Sequence, residues 1–314
     1  MTINLSIIIP HYNTPLKLKK LLMTIPNKKD IQVVVIDDCS TKYLDTYVGI
    51  KNEFPYVDFL STNSNSGAGK ARNIGISEAL GKWLLFADAD DYFLENAYEK
   101  AKLFFDSGLD VIFFYPQSID LTTNTQSDRH LNYVALLENY KKDTSNELQL
   151  KYGFVVPWSK MIRKDLIIKH DIKFDEVIAS NDIMFSVFIG HYMKSFYIED
   201  ESIYCVTKDT GTLTKNINKE VYRSRLDVVI RKYNFLKNRL SKKEFKSLNL
   251  NGRGILIMAW RYDLGKKELF NAYRVLKKNK IKILELKLFN PIFVVRKTIF
   301  HLKKRNENKK YYVK

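Results

Sequence analysis

The sequence predicts an α/β protein, a mainly parallel sheet flanked by helices and followed by a C-terminal helical region. Three observations carry that expectation. Through the first 115 residues, short β-branched runs are each followed by a turn and a helix-compatible polar stretch, the pattern of successive βα units. Small residues and carboxylates gather directly behind those runs, where open sheets of this kind bind ligands. Beyond residue 218 the chain turns to Lys, Arg, Leu, Tyr and Asn at helical spacing with few breakers.

In order, strands are expected at Leu5–Ile9, Gln32–Ile36, Val57–Leu60, Trp83–Phe86 and Asp110–Tyr115, each a short apolar run. Helices are expected near 15–25, 41–53, 68–80 and 94–106, with Gly81 and Gly108 as stops. From about 116 to 156 the pattern loosens into Thr, Asn and Ser, so irregular structure with a short strand or helix is expected. Organised sequence resumes at Val155–Ile162, with a helix near 181–193 and one strand near 196–206. A domain over 1–217, divided into halves at 1–115 and 116–217, and a helical region over 218–314 follow from this reading.

With 314 residues, 45% of them apolar, the chain can fill a sizeable core. Its formal charge of +17 is uneven: residues 1–120 hold 12 Lys and Arg against 15 Asp and Glu, and the rest hold 40 against 20. An acidic cleft suits a metal and a basic rear suits phosphate, anionic lipid or nucleic acid, although a solvated Lys-rich surface reads equally well. Cys39 and Cys205 form no CxxC, so neither a disulfide framework nor a zinc cluster is expected, and a reducing cytoplasm is the simplest compartment. Pro10 stops the first apolar run, and no run approaches the roughly 18 apolar residues of a membrane span.

The sharpest cluster is Asp88-Ala89-Asp90-Asp91, three carboxylates in four positions after an apolar strand. Such crowding asks for a cation or a proton, and hard ions such as Mg²⁺ and Mn²⁺ take carboxylate oxygens while leaving room for phosphates. An exposed acidic turn, with Asp91 capping a helix, is the alternative. Asp37-Asp38 ends the second strand and can accept hydrogen bonds from a base or ribose; the alternative for this segment, compatible with the first, is helix capping by Ser40 or Thr41. Pro10 to Asn13 follow the first strand. Gly67 and Gly69 lie in a small-residue loop before Lys70 and Arg72, at a helix start whose partial positive charge favours phosphate. The five histidines are isolated, so none is a strong metal ligand on spacing.

In this order, these segments resemble the family 2 glycosyltransferases of the GT-A fold. The resemblance rests on Ser6-Ile7-Ile8-Ile9-Pro10-His11-Tyr12-Asn13, Val35-Ile36-Asp37-Asp38-Cys39-Ser40, Gly67 with Ala71-Arg72-Asn73-Ile74-Gly75, and the DxD-type Asp88-Ala89-Asp90-Asp91. It continues through Trp158-Ser159-Lys160, Asn181-Asp182-Ile183-Met184-Phe185 and Gly211-Thr212-Leu213-Thr214. Cys39 stands where the family usually has Gly, and Asn181 where it has Glu, which makes acceptor recognition less transferable.

The resemblance implies a nucleotide-binding half at 1–115 and an acceptor half at 116–217. Pro10, Tyr12, Asn13, Asp38, Gly67, Lys70, Arg72, Asp88 and Ala89 would line the donor site, and Asp88 with Asp90 would hold Mn²⁺ or Mg²⁺. Asp182 would be the catalytic base, with helix capping as its alternative role. The donor implied is a nucleotide-sugar, UDP-sugar by preference. The acceptor implied is a glycan or lipid-linked glycan, in bacterial surface polysaccharide or glycoprotein assembly.

After Pro291, Ile292, Val295, Ile299 and Leu302 recur at helical spacing beside Arg296, Lys297, Lys303 and Lys304. A helix of this kind lies on an anionic membrane, which would place the protein peripherally at the cytoplasmic face, or packs on the protein itself. Self-association into a homo-oligomer is compatible with either. Two rivals come from other classes. A nucleic-acid-binding protein is suggested by charge alone, without RNP or zinc-finger patterning, so no nucleic acid is expected. A nucleotidyltransferase or a silent sugar-nucleotide-binding module would use a similar sheet and acidic site.

Overall fold

The computed structural model describes residues 2–209 and 218–283. In chain order its front elements are β1 (Leu5–His11), α1 (Pro15–Leu22), β2 (Ile31–Asp37), α2 (Leu44–Glu53), β3 (Val57–Ser61), α3 (Ala68–Glu78), β4 (Trp83–Phe86), β5 (Tyr92–Phe93), α4 (Ala97–Lys102), β6 (Val111–Phe114), β7 (Gln117–Asp120) and β8 (Thr125–Gln126). Then come α5 (Leu131–Lys142), α6 (Glu147–Gly153), β9 (Lys160–Arg163), α7 (Lys164–Lys169), α8 (Asn181–Tyr192), β10 (Phe196–Glu199) and β11 (Tyr204–Lys208). The last are α9 (Lys219–Arg239), α10 (Lys242–Ser247), α11 (Arg253–Arg261) and α12 (Lys266–Lys278).

The main sheet has the order β10-β6-β9-β4-β1-β2-β3. Its pairs are parallel except those that β9 makes with β4 and β6. Helices cover both faces, so its central strands are apolar at nearly every position. On one face Ile7, Ile9, Val33 and Val35 pack with Leu18 and Leu21 of α1 and Tyr47 and Ile50 of α2. On the other, Ile8, Val34 and Ile36 pack with Ala71 and Ile76 of α3 and Phe185 and Ile189 of α8.

The five expected front strands are present, Trp83–Phe86 with the bounds read from the sequence. Two expectations need correction. The single strand near 196–206 is two strands in different sheets: β10 joins β6, whereas β11 pairs with β5 and β7 in a small second sheet. A charged turn separates them, with Asp200 and Glu201 held by Lys141 and Lys100, which interrupts the apolar run. The stretch 116–156, expected to be largely irregular, contains α5 and α6. In α5 only Leu137 is fully buried, too weak a stripe to stand out in the sequence.

The described residues divide into two compact units, one within 2–121 and 127–208 and the other within 122–126, 209 and 218–283. In the second, α9 starts at Asn218, whose side chain accepts from Val221 N–H, and α10 starts with a Ser241–Glu244 capping box. Tyr222, Ile255, Ala259, Leu264 and Ala272 form one of its apolar clusters. No described helix is long and apolar enough to cross a membrane. The segments at 211–214 and 292–304 lie outside the described residues.

Candidate active site

The carboxyl ends of β1, β2 and β4 converge because those strands are neighbours in register, Ile8 opposite both Val34 and Phe86. Behind β1, His11 is buried, stacked on Tyr47 with centroids 4.9 Å apart, and its Nδ1 lies 2.8 Å from Asp37 Oδ1. Thr14 N–H donates to His11 Nε2, so the ring proton sits on Nδ1 and is donated to Asp37. Burial raises the Asp37 pKa, but hydrogen bonds from His11 and Ser40 outweigh it and hold the carboxyl below its ordinary value. Pro10 precedes His11 at the end of β1, and Tyr12, just beyond the strand, is 42% exposed. Asn13 takes a positive φ of 54°, and its Oδ1 accepts from Thr41 and Lys42 N–H at 2.9 Å. Its side chain therefore shapes the turn behind β2.

Asp38 is buried and organises the next loop. Its Oδ1 accepts from Thr62 Oγ1 and Ser66 N–H, and its Oδ2 from Gly67 N–H at 2.7 Å. Gly67, at φ 85°, occupies a backbone conformation that side chains disfavour and turns the chain into α3. At Gly69 a Cβ would lie 2.0 Å from Asp175 O, so its absence lets α3 approach the loop before α8. Asn73 reinforces that approach by pairing with both the N–H and the C=O of Phe174. Lys70, half-exposed, pairs with Glu176 at 3.3 Å.

The acidic turn behind β4 is divided in its duties. Asp91 is buried, accepts from Tyr204 Oη at 2.8 Å and Thr207 N–H at 2.7 Å, and so ties the turn to β11. Tyr204 Oη accepts from Asp88 N–H, and Thr207 Oγ1 donates to Asp90 O. Asp88 and Asp90 remain partly accessible, with Ala89 buried between them. Burial, then the neighbouring Asp88 charge, pushes the Asp90 carboxyl above its ordinary value against the pull of Lys17 and Arg129. Burial, then Asp88 and Asp90, push Asp91 well above it.

Arg72 joins this turn to α8. Its guanidinium, nearly buried, donates to Asp88 Oδ1 at 2.5 Å and to Asn181 Oδ1 at 2.9 Å, and lies over the Phe174 ring. Asp182, next to Asn181, has its carboxyl raised by burial and by Asp88, against the opposing charges of Arg72 and Lys160. Asp182 lies close enough to Tyr133 to add to the burial that raises that phenol to about 12.

Of the residues singled out in the sequence, the structure thus joins Arg72, Asp88 and Asn181 directly, with Asp90 and Asp182 coupled to them by charge. Asn13, Asp38 and Lys70 have partners in the surrounding loops. Four contributors were not singled out as site residues: Tyr133, Lys160, Tyr204 and Thr207. Lys160 was visible within Trp158-Ser159-Lys160 but without a role, and Tyr204 reaches Asp91 across 113 positions, which no local pattern reveals.

The family resemblance implies a divalent ion, and the donor set fits one. Asp88 and Asp90 offer hard oxygen ligands whose mutual repulsion a cation relieves. Among the described residues no group of three or more His, Cys, Asp or Glu is placed to hold an ion unaided, so phosphate and water oxygens would complete the shell.

A mostly parallel sheet covered on both faces, with acidic turns at its carboxyl ends, defines a GT-A-type α/β fold. The glycosyl transferase family 2 profile matches residues 6–171. The poly(ribitol-phosphate) beta-N-acetylglucosaminyltransferase TarS of Staphylococcus aureus is 29% identical over 220 residues, 66% of this chain and 36% of that protein. The chain thus spans about a third of that relative's length. Crystalline S. aureus TarS 1-349 in complex with UDP-GlcNAc superposes with a TM-score of 0.66 at 21% identity, covering 86% of this chain and 79% of that one. The Pyrobaculum calidifontis mannosyltransferase PcManGT, in complex with GDP-Man and Mn²⁺, gives 0.52 at 13% identity, over 88% and 75% of the two chains. The chain belongs to glycosyl transferase family 2.

Proposed function

We propose that this protein is an inverting glycosyltransferase that moves a sugar from a nucleotide-diphosphate donor, UDP-sugar by preference, onto a hydroxyl of a glycan or lipid-linked glycan. The observation that carries the reading is the Arg72 bridge. It links Asp88, in the turn suited to the donor diphosphate, with Asn181, whose neighbour Asp182 is the candidate base. A family relative named as an N-acetylglucosaminyltransferase, and a fold neighbour bound to UDP-GlcNAc, support a UDP-sugar.

In this reading Asp182 accepts the acceptor hydroxyl proton while that oxygen bonds to the anomeric carbon. The bond from that carbon to the diphosphate breaks in the same step, with inversion. A raised carboxyl pKa brings the base nearer to working pH, which suits proton transfer. Asp88 and Asp90 would hold Mn²⁺ or Mg²⁺, which when bound neutralises charge on the diphosphate. Arg72 fixes the position of Asp88 relative to α8. Pro10 and Tyr12 border the nucleotide base of the donor, and Asp38 holds the loop that Gly67 turns into α3. The setting proposed is bacterial surface polysaccharide or glycoprotein assembly at the cytoplasmic face, with peripheral membrane association through the basic C-terminal region.

The test is a thermal-shift and turnover screen of nucleotide sugars with Mn²⁺, Mg²⁺ or chelator, on the native chain and an Asp90→Ala variant. Stabilisation by one donor, weakened in the variant and followed by acceptor-dependent release of nucleoside diphosphate, is expected. No response to any donor with either metal would overturn the reading in favour of a silent module.

A further inference from the structure

Lysine is rarely buried without a purpose, because its ammonium loses hydration that only hydrogen bonds and opposite charge replace. Lys160, the first residue of β9, is 1% exposed, and the donor-site reading makes no use of it. Its Nζ donates to Phe154 O at 3.0 Å and to Ser186 Oγ at 3.1 Å, and lies 5.4 Å from the centre of the Phe154 ring. Ser186 passes its own hydroxyl proton to Val156 O, so it is free to accept from the ammonium.

Ser186 lies four residues beyond Asp182 on α8, which places both on one face of the helix, one turn apart. The strand that carries Lys160 is itself fixed between β4 and β6. The lysine therefore pins the first turns of α8 to the centre of the sheet from behind. We propose that Lys160 is a positioning residue for Asp182, setting the height of α8 through Ser186 and placing a buried positive charge against the helix one turn beyond the candidate base. The proposal rests on the reading of Asp182 as base.

Four groups face Asp182: Arg72 from α3, Asp88 from the turn behind β4, Tyr133 from α5 and Lys160 from β9. Arg72 also serves Asp88 and Asn181, whereas among the described residues the carboxylate charge that offsets the burial of Lys160 is that of Asp182. Burial lowers the Lys160 pKa to about 7 and the Asp182 charge opposes that fall, so each charge favours the other.

The test compares pH profiles of kcat for the native chain, Lys160→Met and Ser186→Ala, with Asp182→Asn as control. Methionine fills the volume without the charge. The Lys160→Met acid limb should move upward by about one pH unit, the scale of a lost opposite charge, while donor KM holds. Ser186→Ala strips one acceptor from the ammonium and should move the limb the same way by less. An unmoved limb in Lys160→Met, whatever its kcat, overturns the proposal and reduces Lys160 to packing. If Lys160→Met does not fold, the Ser186→Ala limb decides, a shift supporting the proposal and its absence overturning it. An Asp182→Asn enzyme with native turnover overturns the base reading and this proposal together; an inactive one leaves the base reading standing and the limb as the test of Lys160.

Discussion

Arg72 and Asp88 form an ion pair at 2.5 Å, and the second amine of the same guanidinium donates to Asn181. Two segments more than ninety residues apart in the chain, the turn behind β4 and the start of α8, are thereby held by one rigid fork. Asn181, where the family usually has Glu, is an acceptor for that fork.

Arg72→Lys should not rescue what Arg72→Ala loses. A single ammonium cannot reach both partners with the fixed geometry of a guanidinium. Both variants should lose about 10²-fold in kcat/KM, the scale of a misplaced catalytic group, as read by steady-state kinetics. Full activity in Arg72→Lys would show that charge alone suffices.

Asp182→Asn should cut kcat by about 10²–10⁴-fold while calorimetry finds donor binding unchanged. Because the base works ionised and its carboxyl is raised above 3.8, native kcat should climb with pH through a midpoint above that value. A native midpoint at or below it would contradict the burial that raises this group.

Asp91→Ala should act on stability first. It removes the acceptor for both Tyr204 O–H and Thr207 N–H, two buried donors, at a cost of about 2–4 kcal/mol in chemical denaturation. Asp88→Ala also takes the carboxylate partner from the nearly buried Arg72, so it should cost stability as well, with the larger loss in activity.

Divalent ions should raise Tm more at neutral pH, above the folded pKa of Asp90, than in acid below it. Asp90 has its folded pKa raised, so the folded state binds its proton more readily than the unfolded chain does. Its contribution therefore favours folding at low pH and is lost as pH rises through the folded value. An ion on Asp88 and Asp90 replaces that lost contribution where both are ionised, as thermal shifts with and without Mn²⁺ would show. An equal rise at both pH values, or the same rise in Asp90→Ala, would remove Asp90 from the ion site.

The front half of the fold was legible because its signals are local. An apolar run such as Ile7-Ile8-Ile9 must be buried on both faces, and the polar residues behind it must lie in loops at the strand ends. The back half was less legible for the opposite reason. α5 buries little of its surface, and the assignment of β10 and β11 to different sheets rests on partners, β6 for one and β5 and β7 for the other, that lie far away in the chain.

The sequence by itself determined the order of the βα units and the placing of Asp38, Asp88 to Asp91 and Asp182 beside strand ends or a helix start, since these follow from periodicity and turn chemistry along a few residues. Only the tertiary structure decided what each carboxylate is free to do. Asp38 and Asp91 look like Asp88 and Asp90 in the sequence, yet the first two are buried among loop and strand donors, whereas Asp88, paired with Arg72, and Asp90 stay partly accessible. For Asp91 those donors, Tyr204 and Thr207, arrive from more than a hundred positions away, and hydrogen bonds at that separation exist only once the sheets have formed.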